Sequence, residues 1–240
     1  MTFEIKRGIN ISHWLSQCDG RSERQSWFTR SDVAYLADLG FDHVRIPVDE
    51  QELWHENGRS DNEAFDLLNQ ALDWCEGAGL RAIIDLHILR SHHFLDDAPA
   101  LYREPAAQAH FVSLWRDLSA VFNGRSSDLV AYELLNEAVA PDPEDWNKVA
   151  HMAFNAVRAL EPTRTIVLGS NHFCMAKTFA DLAVPDDENC ILTFHYYDPM
   201  LITHYTAQWW AKGAAYDGPV QYPGQPIPDE AWAALPPDFQ

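Results

Sequence analysis

The sequence is short of basic residues, cysteine and long apolar runs, and each shortage removes a class of function. Lysine and arginine total 17 against 36 aspartates and glutamates, a formal net charge of −19. So acidic a surface repels phosphate backbones and anionic lipid. No nucleic-acid or membrane partner is expected, and an uncharged ligand fits best. No apolar run approaches the ~18 residues that a bilayer span needs. The first residues, Met-Thr-Phe-Glu-Ile-Lys-Arg-Gly, carry no basic-then-apolar leader. The chain is therefore expected in the cytoplasm, or as a secreted protein shown without its leader. The four cysteines, Cys18, Cys75, Cys174 and Cys190, have no Cys-x-x-Cys spacing. Neither a zinc site nor a disulfide scaffold is expected, and buried thiols are, with a single bridge left open. There is also no Gly-x-Gly-x-x-Gly, the phosphate-binding turn of open dinucleotide-binding sheets.

What is present is a regular alternation. Of 240 residues, 47% are hydrophobic, enough to bury the core of one large domain spanning 1–240. Strand-like runs are read at 7–12, 43–48, 81–87, 130–136, 165–170 and 191–197. Helical patterns lie between them at 31–39, 62–78, 105–122 and 142–160, with a short one after Cys174. Strand and helix in alternation predict parallel strands with crossover helices, an α/β fold. Runs such as Ala82-Ile83-Ile84-Asp85-Leu86 suit strands buried on both faces. Polar residues close nearly every strand: His13, Arg45, His87, Asn136 with Glu137, Asn171, and His195 with Tyr197. Polar strand ends that converge define the mouth of a (β/α)8 TIM-type barrel. Six strand units are read where that fold has eight, so the barrel is expected to be incomplete towards the C-terminus. Residues 198–240 hold seven of the 14 prolines and read as a long loop.

Leu129–Ala140 is the most informative stretch. An apolar run delivers Asn136 and Glu137 side by side at a strand's end. A carboxyl beside an amide suits acid/base work at a sugar's anomeric centre, although an Asn and a Glu there also serve simply as caps. His87, His92 and His93 are close in sequence. Metal-dependent barrels usually carry His-x-His on the first strand, where this chain has Asn10-Ile11-Ser12-His13, so no metal is assigned. Trp14, Trp54, Trp209 and Trp210 fall near strand-to-helix loops and are candidate platforms for sugar rings. Trp74 and Trp115 fall inside helices and are expected to pack.

Taken together, Arg7-Gly8-Ile9-Asn10, Val44-Arg45-Ile46-Pro47-Val48, Ile84-Asp85-Leu86-His87, Leu135-Asn136-Glu137 and Phe194-His195-Tyr196-Tyr197-Asp198-Pro199 resemble glycoside hydrolase family 5, the cellulase family of retaining (β/α)8 glycosidases. Thr203-His204 and Tyr222-Pro223-Gly224 resemble its loop segments, and the likeness runs to about Pro228. The resemblance implies hydrolysis of a neutral β-linked polysaccharide or oligosaccharide, β-1,4-glucan first, without a cofactor. It gives Glu137 the acid/base role and Asn136 a contact with the sugar 2-hydroxyl. Arg45 would hold the nucleophilic carboxylate, Tyr197 would hydrogen-bond it, and His87 and His195 would line the sugar subsite as donors. The family's nucleophile is a Glu on a seventh strand, and its eighth strand carries a Trp. Neither is read within these 240 residues, so turnover by this chain alone is in doubt. A non-hydrolytic carbohydrate-binding barrel, or an inactive fragment, is the alternative.

Overall fold

The computed structural model describes residues 3–18 and 23–235. They form two compact units, divided between Phe194 and His195. The first unit holds six strands: β1 (Gly8–Asn10), β2 (His43–Val48), β3 (Arg81–Leu86), β4 (Val130–Glu133), β5 (Ile166–Gly169) and β6 (Cys190–Thr193). Every neighbouring pair is parallel, and their order in space is their order in the chain. A doubly wound sheet reverses direction at a switch point, and this one does not. Its winding is that of a barrel carried through six of eight units.

The long crossover helices are α1 (Arg30–Asp38), α2 (Asn62–Gly77), α3 (Pro105–Phe122) and α4 (Pro143–Leu160). Local chemistry sets their ends. The Asp142 carboxylate accepts from the Glu144 N–H at 2.9 Å, with Pro143 following it, so α4 starts on a side-chain cap. Asp61 does the same for α2 through Ala64, at 3.1 Å. After α2 the chain turns at Gly79, whose φ of 74° suits glycine. The start of α1 differs from the expected Ser31. Thr29 is its cap, because the Asp32 carboxylate reaches back to the Thr29 N–H at 2.8 Å and hydroxyl at 2.7 Å.

Alternation along the strands separates two cores. Val44, Ile46, Ala82, Ile84, Val130, Tyr132, Ile166 and Leu168 face the helices in the main cluster. Ile83, Ala131 and Val167 pack with Phe3 in a second, smaller cluster. That inward face also carries Arg45, Asp85 and Glu133, two residues further along the same pleat or level with it. Trp14 and Trp54 belong to the main core, edge-on to Phe28 and Phe65 at 5.3 and 5.5 Å. With 1% and 2% of their surface exposed, they are not sugar platforms, which corrects that expectation. Trp115 packs as expected, its indole N–H donating to the Leu134 carbonyl at 3.0 Å. No disulfide joins the cysteines among the described residues.

The β6 ladder ends at Thr193, short of the expected 197. His195 and Tyr197 therefore follow the strand and belong to the second unit. That unit is more than a loop: it contains short helices at Met200–Thr203, Ala211–Ala214 and Asp229–Ala234. Within it the His195 and Tyr197 rings meet edge-on at 6.1 Å. His204 lies 4.8 Å from Tyr197 and 4.9 Å from Trp209. Trp209 is exposed.

Candidate active site

At the C-terminal ends of the strands, Arg45 occupies the centre of a polar lattice. Its Nε and Nη2 donate to the two oxygens of Glu133, at 2.8 and 2.9 Å. Nη2 also reaches Asn136 Oδ1 at 3.0 Å and Asp85 at 2.9 Å, and Nη1 donates to Asn10 at 2.9 Å. Asp85 and Glu133 are register partners on adjacent strands, and 0% and 2% of their surface is exposed. Two buried carboxylates so placed repel each other unless a cation lies between them. Burial opposes the charge on Arg45, but attraction to Asp85 and Glu133 outweighs it and raises the guanidinium pKa above its ordinary value.

His87 joins the lattice through Asp85, its Nδ1 lying 2.6 Å from Asp85 Oδ2. Its other ring nitrogen lies 3.1 Å from the Gln17 side-chain amide. Both ring nitrogens of His87 thus have a partner within the lattice, Asp85 on one side and Gln17 on the other.

Glu137 follows the buried Asn136, whose N–H still pairs with the Leu86 carbonyl at 3.1 Å. The chain then leaves the sheet, and Glu137 takes a φ of 45°. Left-handed backbone costs a residue with a Cβ about 1–2 kcal/mol and persists where surrounding contacts over-determine it. Of the expected residues, Arg45, His87 and Asn136 therefore share one lattice, and Glu137 is adjacent in the chain. His195 and Tyr197 stand in the second unit.

Asp85, Glu133, Asn10 and Gln17 were not foreseen. A signal existed for the first two, since a carboxylate inside an otherwise apolar parallel strand must find a partner. Among the described residues no cluster of three or more His, Cys, Asp or Glu is arranged to hold a metal. No helix among them is long and apolar enough to cross a membrane.

The sheet and the lattice define the class: an α/β barrel protein with its polar chemistry gathered at the C-terminal ends of the strands. Within that class, the sequence profile of cellulase (glycosyl hydrolase family 5) matches residues 8–223, and the chain belongs to this family. It is 32% identical over 226 residues to Endoglucanase C of Acetivibrio thermocellus, covering 92% of this chain and 66% of that one. It is 32% identical over 209 residues to Cellodextrinase A of Ruminococcus flavefaciens, covering 85% and 62%. Among solved structures, the clostridial cellulose synthase subunit Z of Clostridioides difficile superposes with a TM-score of 0.74 at 26% identity. That match covers 87% of this chain and 66% of that one. The chain thus spans just under two thirds of the length of these relatives.

Proposed function

We propose that this chain carries the acid/base half of the active site of a retaining glycosidase that cleaves neutral β-linked glucan, with β-1,4-glucan the first substrate to test. The observation that carries the reading is the strand-end pair Asn136–Glu137 beside the Arg45 lattice, in a chain of the cellulase family. The relatives named endoglucanase and cellodextrinase support the substrate class. So does the net charge of −19, which disfavours anionic polymers.

In this reading Glu137 protonates the departing glycosidic oxygen, then takes a proton from water in the second step. Asn136 meets the sugar 2-hydroxyl. Its carbonyl oxygen already accepts from Arg45, which fixes the amide flip and leaves the NH2 to donate. Arg45 ties Asp85 and Glu133 together across the strand ends. A second carboxylate must attack the anomeric carbon, and the family resemblance assigns it to a seventh strand.

The test is release of reducing ends from β-1,4-glucan, β-1,4-mannan and β-1,3-glucan, with cellotetraose binding measured alongside. From residues 1–240 alone, binding without turnover is expected; in a form extended to carry the seventh-strand carboxylate, cleavage of β-1,4-glucan in preference to the other two is expected. Binding without cleavage by the extended form favours a non-hydrolytic carbohydrate-binding barrel, and neither binding nor cleavage overturns both readings.

A further inference from the structure

The main chain from Glu137 to Ala140 is gripped on every residue by groups that the sugar chemistry does not use. The Glu137 N–H faces the Cys174 sulfur. The Ala138 carbonyl accepts from the Phe173 N–H at 3.1 Å. The Val139 N–H donates to the Tyr102 hydroxyl at 3.1 Å. Asn171 grips Ala140 at both ends: its Oδ1 accepts from the Ala140 N–H at 2.8 Å, and its Nδ2 donates to the Ala140 carbonyl at 2.9 Å. Asn171 and Tyr102 are both buried, at 3% exposure each.

The supporting segment is itself unusual. His172, Phe173 and Cys174 follow one another at φ values of 53°, 62° and 54°, and none is glycine. Three successive left-handed residues are not a local preference of the sequence. This turn brings the Phe173 N–H to Ala138 and the Cys174 sulfur to Glu137. Gly169 at the end of β5 makes the room, since a Cβ there would fall on the Cys174 sulfur. A strained turn after β5 thus holds a strained turn after β4.

We propose that Asn171 is the positioning residue of the acid/base, with Tyr102 as its second support: together they lock residues 137–140 so that the Glu137 carboxyl keeps one direction. The proposal rests on the acid/base reading of Glu137. A two-point side-chain clamp on the N–H and carbonyl of one residue copies a ladder pair in a place where the sheet has ended. Its release would let Glu137 relax towards ordinary backbone and swing its carboxyl from the leaving-group oxygen. Misplacement of that kind lowers rate without removing any reacting group.

The test uses Asn171→Ala, Asn171→Asp and Tyr102→Phe in the purified protein, with two readouts. Amide hydrogen exchange reads the clamp. Ala140 should exchange about tenfold faster or more in Asn171→Ala, and Val139 should do so in Tyr102→Phe, ahead of any global unfolding. Asn171→Asp keeps the acceptor and loses the donor, so it should fall between wild type and Asn171→Ala. Kinetics, on the same substitutions in a form extended to carry the seventh-strand carboxylate, reads the positioning. kcat on cellotetraose should fall on the order of 10–100-fold, while an activated dinitrophenyl cellobioside, which needs little protonation, is largely spared. Unchanged exchange at Ala140 and Val139 overturns the clamp. Faster exchange with equal losses on both substrates overturns the positioning role. If the extended wild type cleaves neither substrate, it is the acid/base reading that fails, while the exchange arm still decides whether Asn171 holds the segment.

Discussion

Two arginines at opposite ends of the same sheet use their donors differently. Arg164, just ahead of β5, gives most of them to main-chain carbonyls: Val130 at 2.7 Å, Arg125 at 2.8 Å and Ser126 at 3.1 Å, with Glu161 taking Nε at 2.8 Å. Arg45, at the other end, gives its donors to side chains: Glu133, Asp85, Asn136 and Asn10. Peptide carbonyls do not titrate and scarcely move, so the Arg164 end is fixed whatever the conditions. Carboxylates can change charge and side-chain amides can be reoriented, so the Arg45 end is where chemistry can be adjusted. In barrels, stability is concentrated at the N-terminal ends of strands and catalysis at the C-terminal ends, and these two residues display that division.

The largest test of this contrast removes each arginine in turn. Arg164→Met and Arg45→Met should each cost about 3–5 kcal/mol at pH 7, because each leaves buried acceptors uncompensated. Their effects on ligand should differ. Urea unfolding should report both losses, and cellotetraose binding by the folded protein should weaken in Arg45→Met and stay at the wild-type level in Arg164→Met. Equal weakening would erase the distinction.

A smaller test concerns His92. Its ring is fully buried, edge-on to Tyr102 at 5.7 Å, and neither nitrogen closes a well-formed hydrogen bond. Burial, helped by the neighbouring His93 and His87, pushes its pKa down to about 3. A histidine depressed in the fold favours the native state above its unfolded pKa of about 6.5 and loses that contribution as pH falls towards the folded value. Between pH 7.5 and pH 5 the loss is about 2 kcal/mol. His92→Phe should flatten this part of the stability–pH curve, and an unchanged slope would show that His92 accepts a proton without cost. The smallest expected effect is at α4, where Asp142→Ala should lower stability by about 1 kcal/mol. It should do so without altering any property of the strand ends, as chemical denaturation beside ligand binding will show.

Much of the architecture was legible in the sequence because it rests on local patterns. The run Ala82–Leu86 reads as a strand buried on both faces, and Asp142-Pro143 reads as a helix start; both are observed. The end of β6 was overextended because Phe194–Tyr197 is apolar and aromatic enough to continue a strand, yet its ladder stops at Thr193. Arg45 and Asn136 could be nominated one at a time, but their shared bond depends on how separate strands align. The clamp on Glu137 was hidden for the same reason: Asn171 and Tyr102 are 31 and 37 residues from the peptides they hold, and nothing in either local sequence marks the contact. The tryptophans misled because an aromatic residue in a loop reads the same whether it faces sugar or core. Trp14 and Trp54 face core.

The central claim is that Glu137, at the Arg45 end, supplies the proton. The most direct measurement compares Glu137→Gln with wild type, both in a form extended to carry the seventh-strand carboxylate, on cellotetraose and on dinitrophenyl β-cellobioside, with folded protein quantified in both samples. Loss of a general acid should lower cellotetraose hydrolysis by about 10²–10⁴-fold. The first step on the activated glycoside should proceed, and added azide should accelerate its breakdown by replacing the water that Glu137 would have activated. Equal loss on both substrates, with no response to azide, would contradict the account.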